Sequence, residues 1–424
     1  KGKMNRYMLV MATAKCARMV TDEYVAQRER AEKMIERKCS CEMGMHRAPL
    51  EKYIIESGAI NHLPELLRDY NKVYMVCDEN TYRVLGEKSE QILKSVGKFS
   101  HKHILKGDVL PDARNIGDVL IHLNDPKADS DIFKYSPQPD FILAVGSGVV
   151  NDICRVVSYR LGLPYGIAGT APSMDGYASA GSPTLFDGTK ATIKCTTPKY
   201  IIADLDVMKE APFDMLLSGI GDMFGKYIGI LDWELARDYN GDYYCKEIAD
   251  EVIEATDKCM KNGYDLKSRS AGCIKNIMEG FLVTGLGMAF TGNSRPASGS
   301  EHIVAHVWEL ESVERGEKPN LHGLEVCEGT RIMAEMYRLL YTETADEHLK
   351  SLIEKYLPYF DKIEEFCNKM DMPNVTTDYD TIYKAIKRAL GLRDRYTILF
   401  YLRDKGQLDR YADYAAKKFL ERIG

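Results

Sequence analysis

Between about Ile54 and Asp204 the chain alternates short apolar runs with segments of helical period. Lys72–Asp78, Asp140–Gly148, Tyr165–Thr170 and Lys199–Asp204 are β-rich runs, and His103–Leu105 reads as a shorter strand. Tyr82 to Val96, Asn115 to Asn124 and a stretch from about Val149 fill the gaps with helical spacing. This alternation predicts a parallel sheet with helices on both faces. After Ala211-Pro212 the period is helical almost throughout, over 213–237, 246–261, 268–291, 298–312, 322–342, 345–357, 359–370, 378–389 and 408–422. Residues 15 to 38 are charged with apolar positions at helical spacing and predict a helical extension. The expected organisation is therefore an extension (1–49), an α/β domain with a Rossmann-like sheet (50–211) and an all-α domain (212–424), with a site in the cleft between the last two.

Composition narrows the class. A chain of 424 residues is long for one core and favours two domains. Hydrophobic content of 45% and charged content of 28% are those of a globular protein. A net charge of −6 argues against nucleic-acid binding and anionic membranes but leaves room for a small anionic substrate held by local basic residues. No uninterrupted apolar run approaches the roughly 20 residues that span a bilayer, so membrane insertion is not expected. The opening residues do not read as an export signal, and 11 evenly spread cysteines imply reduced thiols in a cytoplasm. A homodimer is the default assembly.

Gly146-Ser147-Gly148-Val149-Val150-Asn151-Asp152 joins a buried strand to a helix through glycines. Such a turn lets backbone N–H groups and a helix N-terminus meet a pyrophosphate, although it also serves as an ordinary strand–helix turn. Asp78, ending an earlier strand, suits a ribose hydroxyl or a helix N-cap. Asp222 lies among glycines with Lys226 one turn on; the carboxylate pairs either with that lysine or with a metal. His302 and His306 share a helix face, and His322 opens another helical stretch. Each alone reads as a core histidine; with Asp222 the set points to a metal with an open coordination position. Zinc suits it as a Lewis acid, and nickel, iron or manganese tolerate similar ligands. Cys39-Ser40-Cys41 with His46 lacks a second ligand pair at zinc spacing and reads as a short strand with incidental thiols.

Together these residues resemble the superfamily of dehydroquinate synthase, glycerol dehydrogenase and iron-dependent alcohol dehydrogenases, and within it the sn-glycerol-1-phosphate dehydrogenase branch. The resemblance rests on Gly146-Ser147-Gly148 with Asn151-Asp152, Thr170 to Ser179, Gly219-Ile220-Gly221-Asp222, Ser294-Arg295-Pro296-Ala297-Ser298-Gly299-Ser300-Glu301-His302 and His322-Gly323, in that order over roughly residues 50 to 340. It implies metal ligands Asp222, His302 and His322, with His306 beside the substrate. It implies NAD(H) or NADP(H) along Gly146–Asp152 and the Thr170 loop, with Thr170 and Ser179 near the nucleotide and Asp175 near nicotinamide and substrate; Ser173 belongs to the same loop. The implied reaction is reduction of dihydroxyacetone phosphate to sn-glycerol 1-phosphate. Val149 stands where relatives often carry lysine, so phosphate contacts there fall to backbone amides.

Within that reading Arg295 is the candidate for the substrate phosphate, because a guanidinium matches phosphate oxygens in pairs. A structural salt bridge is the alternative. Lys226 is a second anion contact and His306 a proton relay. The competing readings are a polyol dehydrogenase on an unphosphorylated substrate, a lyase that recycles bound NAD, and a non-catalytic metal- or nucleotide-binding protein.

Overall fold

The computed structural model describes residues 36–123, 138–186 and 189–424. The expected extension over 15–38 lies outside them up to residue 35. Its last residues form a strand, β1 (Glu36–Lys38), rather than a helix, pairing antiparallel with β2 (Met45–Arg47).

A six-stranded, wholly parallel sheet follows: β3 (Lys52–Glu56), β4 (Val73–Asp78), β5 (Phe99–Leu105), β6 (Phe141–Gly146), β7 (Tyr165–Gly169) and β10 (Tyr200–Asp204). Their spatial order is β3-β10-β7-β6-β4-β5. β4, β6, β7 and β10 are buried almost throughout, which is why they read as unbroken apolar runs. Helices α1 (Glu87–Ser95), α2 (Ala113–Ile121) and α3 (Gly148–Leu161) connect them. From β4 the chain moves outward to β5, and from β6 it moves the other way to β7. The carboxyl ends of β4 and β6 thus flank the switch point where open α/β sheets bind ligands. Asp78 and Gly146 stand at those two ends.

Sequence periodicity missed the hairpin β8 (Gly181–Phe186) and β9 (Thr189–Lys194). Its mixed polar composition carries no alternating signal.

The helical half comprises α4 (Phe213–Asn240), α5 (Lys246–Asn262), α6 (Ala271–Thr291), α7 (Ser300–Glu314), α8 (His322–Glu343), α9 (Glu347–Glu354), α10 (Leu357–Met370), α11 (Tyr379–Leu392), α12 (Ile398–Asp404) and α13 (Leu408–Ile423). Only α12, seven residues, was absent from the periodic pattern. α6 is long and apolar enough to cross a bilayer by length and composition, yet 67% of its best window is buried inside the protein.

α4 is the axis of this half, buried from Leu216 to Ala236. Two of its contacts are backbone to backbone. A Cβ on Gly219 would stand 1.8 Å from the Pro172 carbonyl oxygen, and one on Gly323 1.8 Å from that of Ser218. Glycine at both positions lets the loop after β7 and the start of α8 close onto α4. The loop belongs to the α/β half and α8 to the helical half, so these contacts form the cleft.

Candidate active site

α4 brings Asp222 and Lys226 into the interior with no exposed side-chain surface. Lys226 Nζ lies 2.7 Å from Asp222 Oδ1 and 2.6 Å from Asp175 Oδ2, and donates to the Ala297 carbonyl at 3.0 Å. The other Asp222 oxygen accepts the Asp175 backbone N–H at 2.8 Å, tying the loop after β7 to α4. Burial pushes the Asp222 carboxyl up, but Lys226 and then His302 outweigh it and hold the group well below the carboxylate range. Burial likewise lowers Lys226, and its two carboxylates overcome this and raise it. The lysine is therefore a locked cation. It does not line the cleft, which removes the expected anion contact: a fully enclosed ammonium shared by two carboxylates has no face for a substrate.

α7 and α8 bring in the histidines. Asp222, His302 and His322 each offer a ligand atom, all within 4.8 Å of one another. His302 Nε2 is 3.3 Å from Asp222 Oδ1. Behind the rings stand two carboxylates that sequence reasoning passed over. Glu301 Oε1 is 2.6 Å from His302 Nδ1, and Glu309 Oε1 is 2.8 Å from His322 Nδ1. A carboxylate on Nδ1 fixes the tautomer and aims Nε2 forward, as metal-ligating imidazoles require. His306, Glu309 and His322 form an overlapping group. The buried charges also fit a cation. Asp175, Asp222 and Glu301 are at most 7% exposed, and Lys226 is the only lysine within ion-pair distance of any of them among the described residues. An uncompensated buried carboxylate is costly, and a divalent ion would offset the excess.

A cleft of about 310 Å³ opens onto this group. Ser147, Gly148, Asp152, Ser173, Asp175 and Ser179 line it from the α/β half, and His302, His306 and His322 from the helical half. The other expected cofactor residues stand behind the lining. Asn151 donates to the Gly176 carbonyl at 3.1 Å, shaping the loop. Thr170 is buried, and its N–H donates to the Gly146 carbonyl at 3.0 Å. Asp152, although it lines the cleft, pairs with Arg155 at 2.5 Å. Asp78 Oδ1 accepts the Asn80 and Thr81 N–H groups, a capping box, while its strand end stays at the switch point.

Arg295 is the clear correction. Its guanidinium pairs with Asp242 and donates to the Tyr396 carbonyl at 2.6 Å, and it lines a separate depression, not the cleft. The salt-bridge alternative is the observed one. Arg393, in the connection between α11 and α12, reaches the cleft instead. It donates to Thr192 Oγ1 at 3.1 Å and approaches Ser294 Oγ at 3.5 Å. Among the described residues no carboxylate lies within ion-pair distance of it. Burial, opposed by Glu309, depresses its pKa. Its signal in the sequence was an arginine pair, Arg393 and Arg395, in a break between helices.

Asp232 also escaped notice. It accepts the Ser300 N–H and hydroxyl, both at 2.6 Å, the Tyr337 hydroxyl at 2.6 Å and the Ile398 N–H at 2.8 Å. It thereby holds the first turn of α7, and with it His302.

Comparisons with known proteins bear on the fold and the family. Residues 54–212 match the family model described as iron-containing alcohol dehydrogenase. Solved structures of a probable glycerol dehydrogenase from Sinorhizobium meliloti (TM-score 0.61, 18% identity, 88% of this chain and 97% of that one) and an iron-containing alcohol dehydrogenase from Thermotoga maritima (0.61, 13%, 89% and 99%) share the fold. The chain thus shares the architecture of those two dehydrogenases. The glycerol-1-phosphate dehydrogenase [NAD(P)+] of Bacillus subtilis is 32% identical over 86% of this chain and 94% of its own, and that of Bacillus licheniformis 31% identical over 87% and 93%. The chain belongs to the glycerol-1-phosphate dehydrogenase family and is an oxidoreductase.

Proposed function

We propose that this protein reduces dihydroxyacetone phosphate to sn-glycerol 1-phosphate, using NADH or NADPH and one divalent metal held by Asp222, His302 and His322. The observation that carries the reading is one cleft with a carboxylate–imidazole cluster at its floor and, on its wall, Arg393, which has no ion-pair partner among the described residues. Zinc is the preferred ion, with nickel and iron as alternatives. A bound divalent ion supplies Lewis acidity at the substrate carbonyl. A nicotinamide nucleotide supplies the hydride.

The chain's own residues do the rest. Ser147 and Gly148, at the N-terminus of α3, offer backbone donors and the positive end of the helix to a pyrophosphate. Asp78, at the other side of the switch point, faces the ribose. The Ser173–Ser179 loop, held by Asp222 and Asn151, forms the floor under the nicotinamide, with Asp175 turned to the substrate. Glu301 and Glu309 keep the His302 and His322 rings in position. Arg393 takes the substrate phosphate that sequence reasoning assigned to Arg295. His306, beside Glu309 and His322, delivers the proton to the product oxygen.

The test is NAD(P)H oxidation with dihydroxyacetone phosphate and with dihydroxyacetone, each with and without chelator, followed by chiral analysis of the product. The expected result is chelator-sensitive turnover strongly favouring the phosphorylated substrate, and a product of the sn-1 configuration. Equal rates on the two substrates would place the protein among polyol dehydrogenases instead.

A further inference from the structure

We propose that Cys39, Cys41, His46 and Cys245 form a second metal site, closed and structural, of the tetrahedral three-sulfur, one-nitrogen type that suits zinc. In the sequence the first three lack a second ligand pair at zinc spacing, and Cys245 lies about 200 residues downstream. The fold brings it to them. All four ligand atoms lie within 4.8 Å of one another. Cys39 Sγ is 3.5 Å from Cys245 Sγ, Cys41 Sγ is 3.4 Å from His46 Nε2, and Cys245 Sγ is 3.6 Å from His46 Nε2. A tetrahedron with zinc–sulfur bonds of about 2.3 Å has edges of roughly 3.5 to 3.8 Å. The spacing matches that edge and is far beyond the roughly 2.05 Å of a disulfide.

Hydrogen-bond donors surround the sulfurs, the Tyr243 hydroxyl 3.2 Å from Cys41 Sγ among them. Backbone N–H groups point at each sulfur: Cys41 at Cys39, Met43 and Gly44 at Cys41, and Ile248 at Cys245. Cys245 is the N-cap residue of α5, so the helix end adds positive potential. Three thiolates and a divalent ion leave one negative charge, and the Arg37 guanidinium is electrostatically close to Cys39 and Cys245. His46 and Cys245 are fully buried.

The site also answers a packing question. β1 and β2 are three residues each, too short to be stable as an isolated hairpin. Among the described residues, ties run from the hairpin to α5, to α6 and to the connection before α5, where the Tyr243 hydroxyl meets Cys41 Sγ. Arg37 pairs with Glu251, Ser40 donates to Glu247 from its N–H at 3.1 Å and its hydroxyl at 2.8 Å, and His46 stacks on Phe290 at 5.4 Å. A metal at the centre would fasten the hairpin to the helical half. None of the four ligands lines the cleft, so the site is separate from the proposed chemistry and does not depend on it.

The test uses the full chain carrying Asp222→Asn and His302→Ala, which empties the cleft cluster. Metal analysis after growth with zinc should find one equivalent, and X-ray absorption should show about three sulfurs and one nitrogen around it. Adding Cys39→Ser and Cys245→Ser should remove that equivalent and lower the melting temperature by several degrees. No bound metal in the double variant would overturn the proposal, as would a 2 Da mass deficit mapped to a Cys39–Cys245 disulfide. Should the variants not fold, the wild-type absorption spectrum decides: sulfur scattering near 2.3 Å supports the site, and purely nitrogen and oxygen scattering sinks it.

Discussion

The two candidate ligand clusters in this chain are built on opposite principles. The cleft cluster has three oxygen and nitrogen donors, Asp222, His302 and His322, drawn from three helices, and two of them face a cavity. The hairpin cluster has four donors, three of them sulfur, clasped between a strand turn and a helix start. Three donors beside a cavity leave a coordination position for a substrate oxygen; four donors between packed elements leave none. The supports differ accordingly. Carboxylates back the imidazoles and tune ligands that must take part in chemistry, whereas backbone amides back the thiols and only need to hold. Donor type, openness and backing together distinguish a working site from a fastening.

The largest effect that would break this contrast is at the cleft. His302→Ala should lower turnover by on the order of 10³-fold, since a polarising ion contributes several kcal/mol to the barrier. Only the cleft equivalent of metal should go, with the sulfur-bound one retained. Turnover that survives together with full metal content would refute the ligand assignment.

Arg393→Ala comes next. Losing a charged hydrogen-bond donor costs about 1.5–3 kcal/mol, so KM for dihydroxyacetone phosphate should rise about 10- to 100-fold. KM for dihydroxyacetone should hardly move, and Arg295→Ala should show no such split. Steady-state kinetics on both substrates reads this directly.

A further effect concerns buried carboxylates with and without an ion-pair partner. Asp222 has Lys226 and is held low; Glu328, on α8, has no ion-pair partner among the described residues, and burial pushes it up to about 8 despite the Val375 and Thr376 N–H groups it accepts. A raised carboxyl favours the protonated folded state. Stability therefore falls as pH rises from the unfolded value of about 4.5 toward 8. Glu328→Gln should lessen that fall by on the order of a few kcal/mol, read as urea midpoints across pH 4 to 9. Parallel curves for the two proteins would show that Glu328 does not titrate in this window.

The smallest is Asp78→Ser. Serine retains the cap to within a few tenths of a kcal/mol, so thermal stability should hold. KM for NADH should rise several-fold from loss of the ribose contact. An unchanged KM would confine Asp78 to its capping role.

The legible part of the protein was periodic or local. Apolar runs such as Val73–Cys77 and Phe141–Val145 declared a buried parallel sheet, because both faces of those strands are covered. Helical period found α4, α5, α7 and α8 to within about three residues at each end. The His302–His322 pair was visible because histidine is scarce and the spacing is short. Glu301 and Glu309 were ordinary charged residues in a helix until their contacts with the imidazoles were seen. Arg295 misled because it adjoins a distinctive motif, and adjacency in sequence says nothing about which way a guanidinium turns.

Residue order by itself determined the buried parallel strands, most of the helices and the chemical types available, since these depend on spacing along one chain. Only the tertiary structure decided the partners. It gave Lys226 to two carboxylates, Arg295 to Asp242, Arg393 to the cleft and Cys245 to a hairpin some 200 residues away. The physical reason is that charge pairing and ligand convergence act across a few ångströms of space, and packing, not sequence separation, sets those distances.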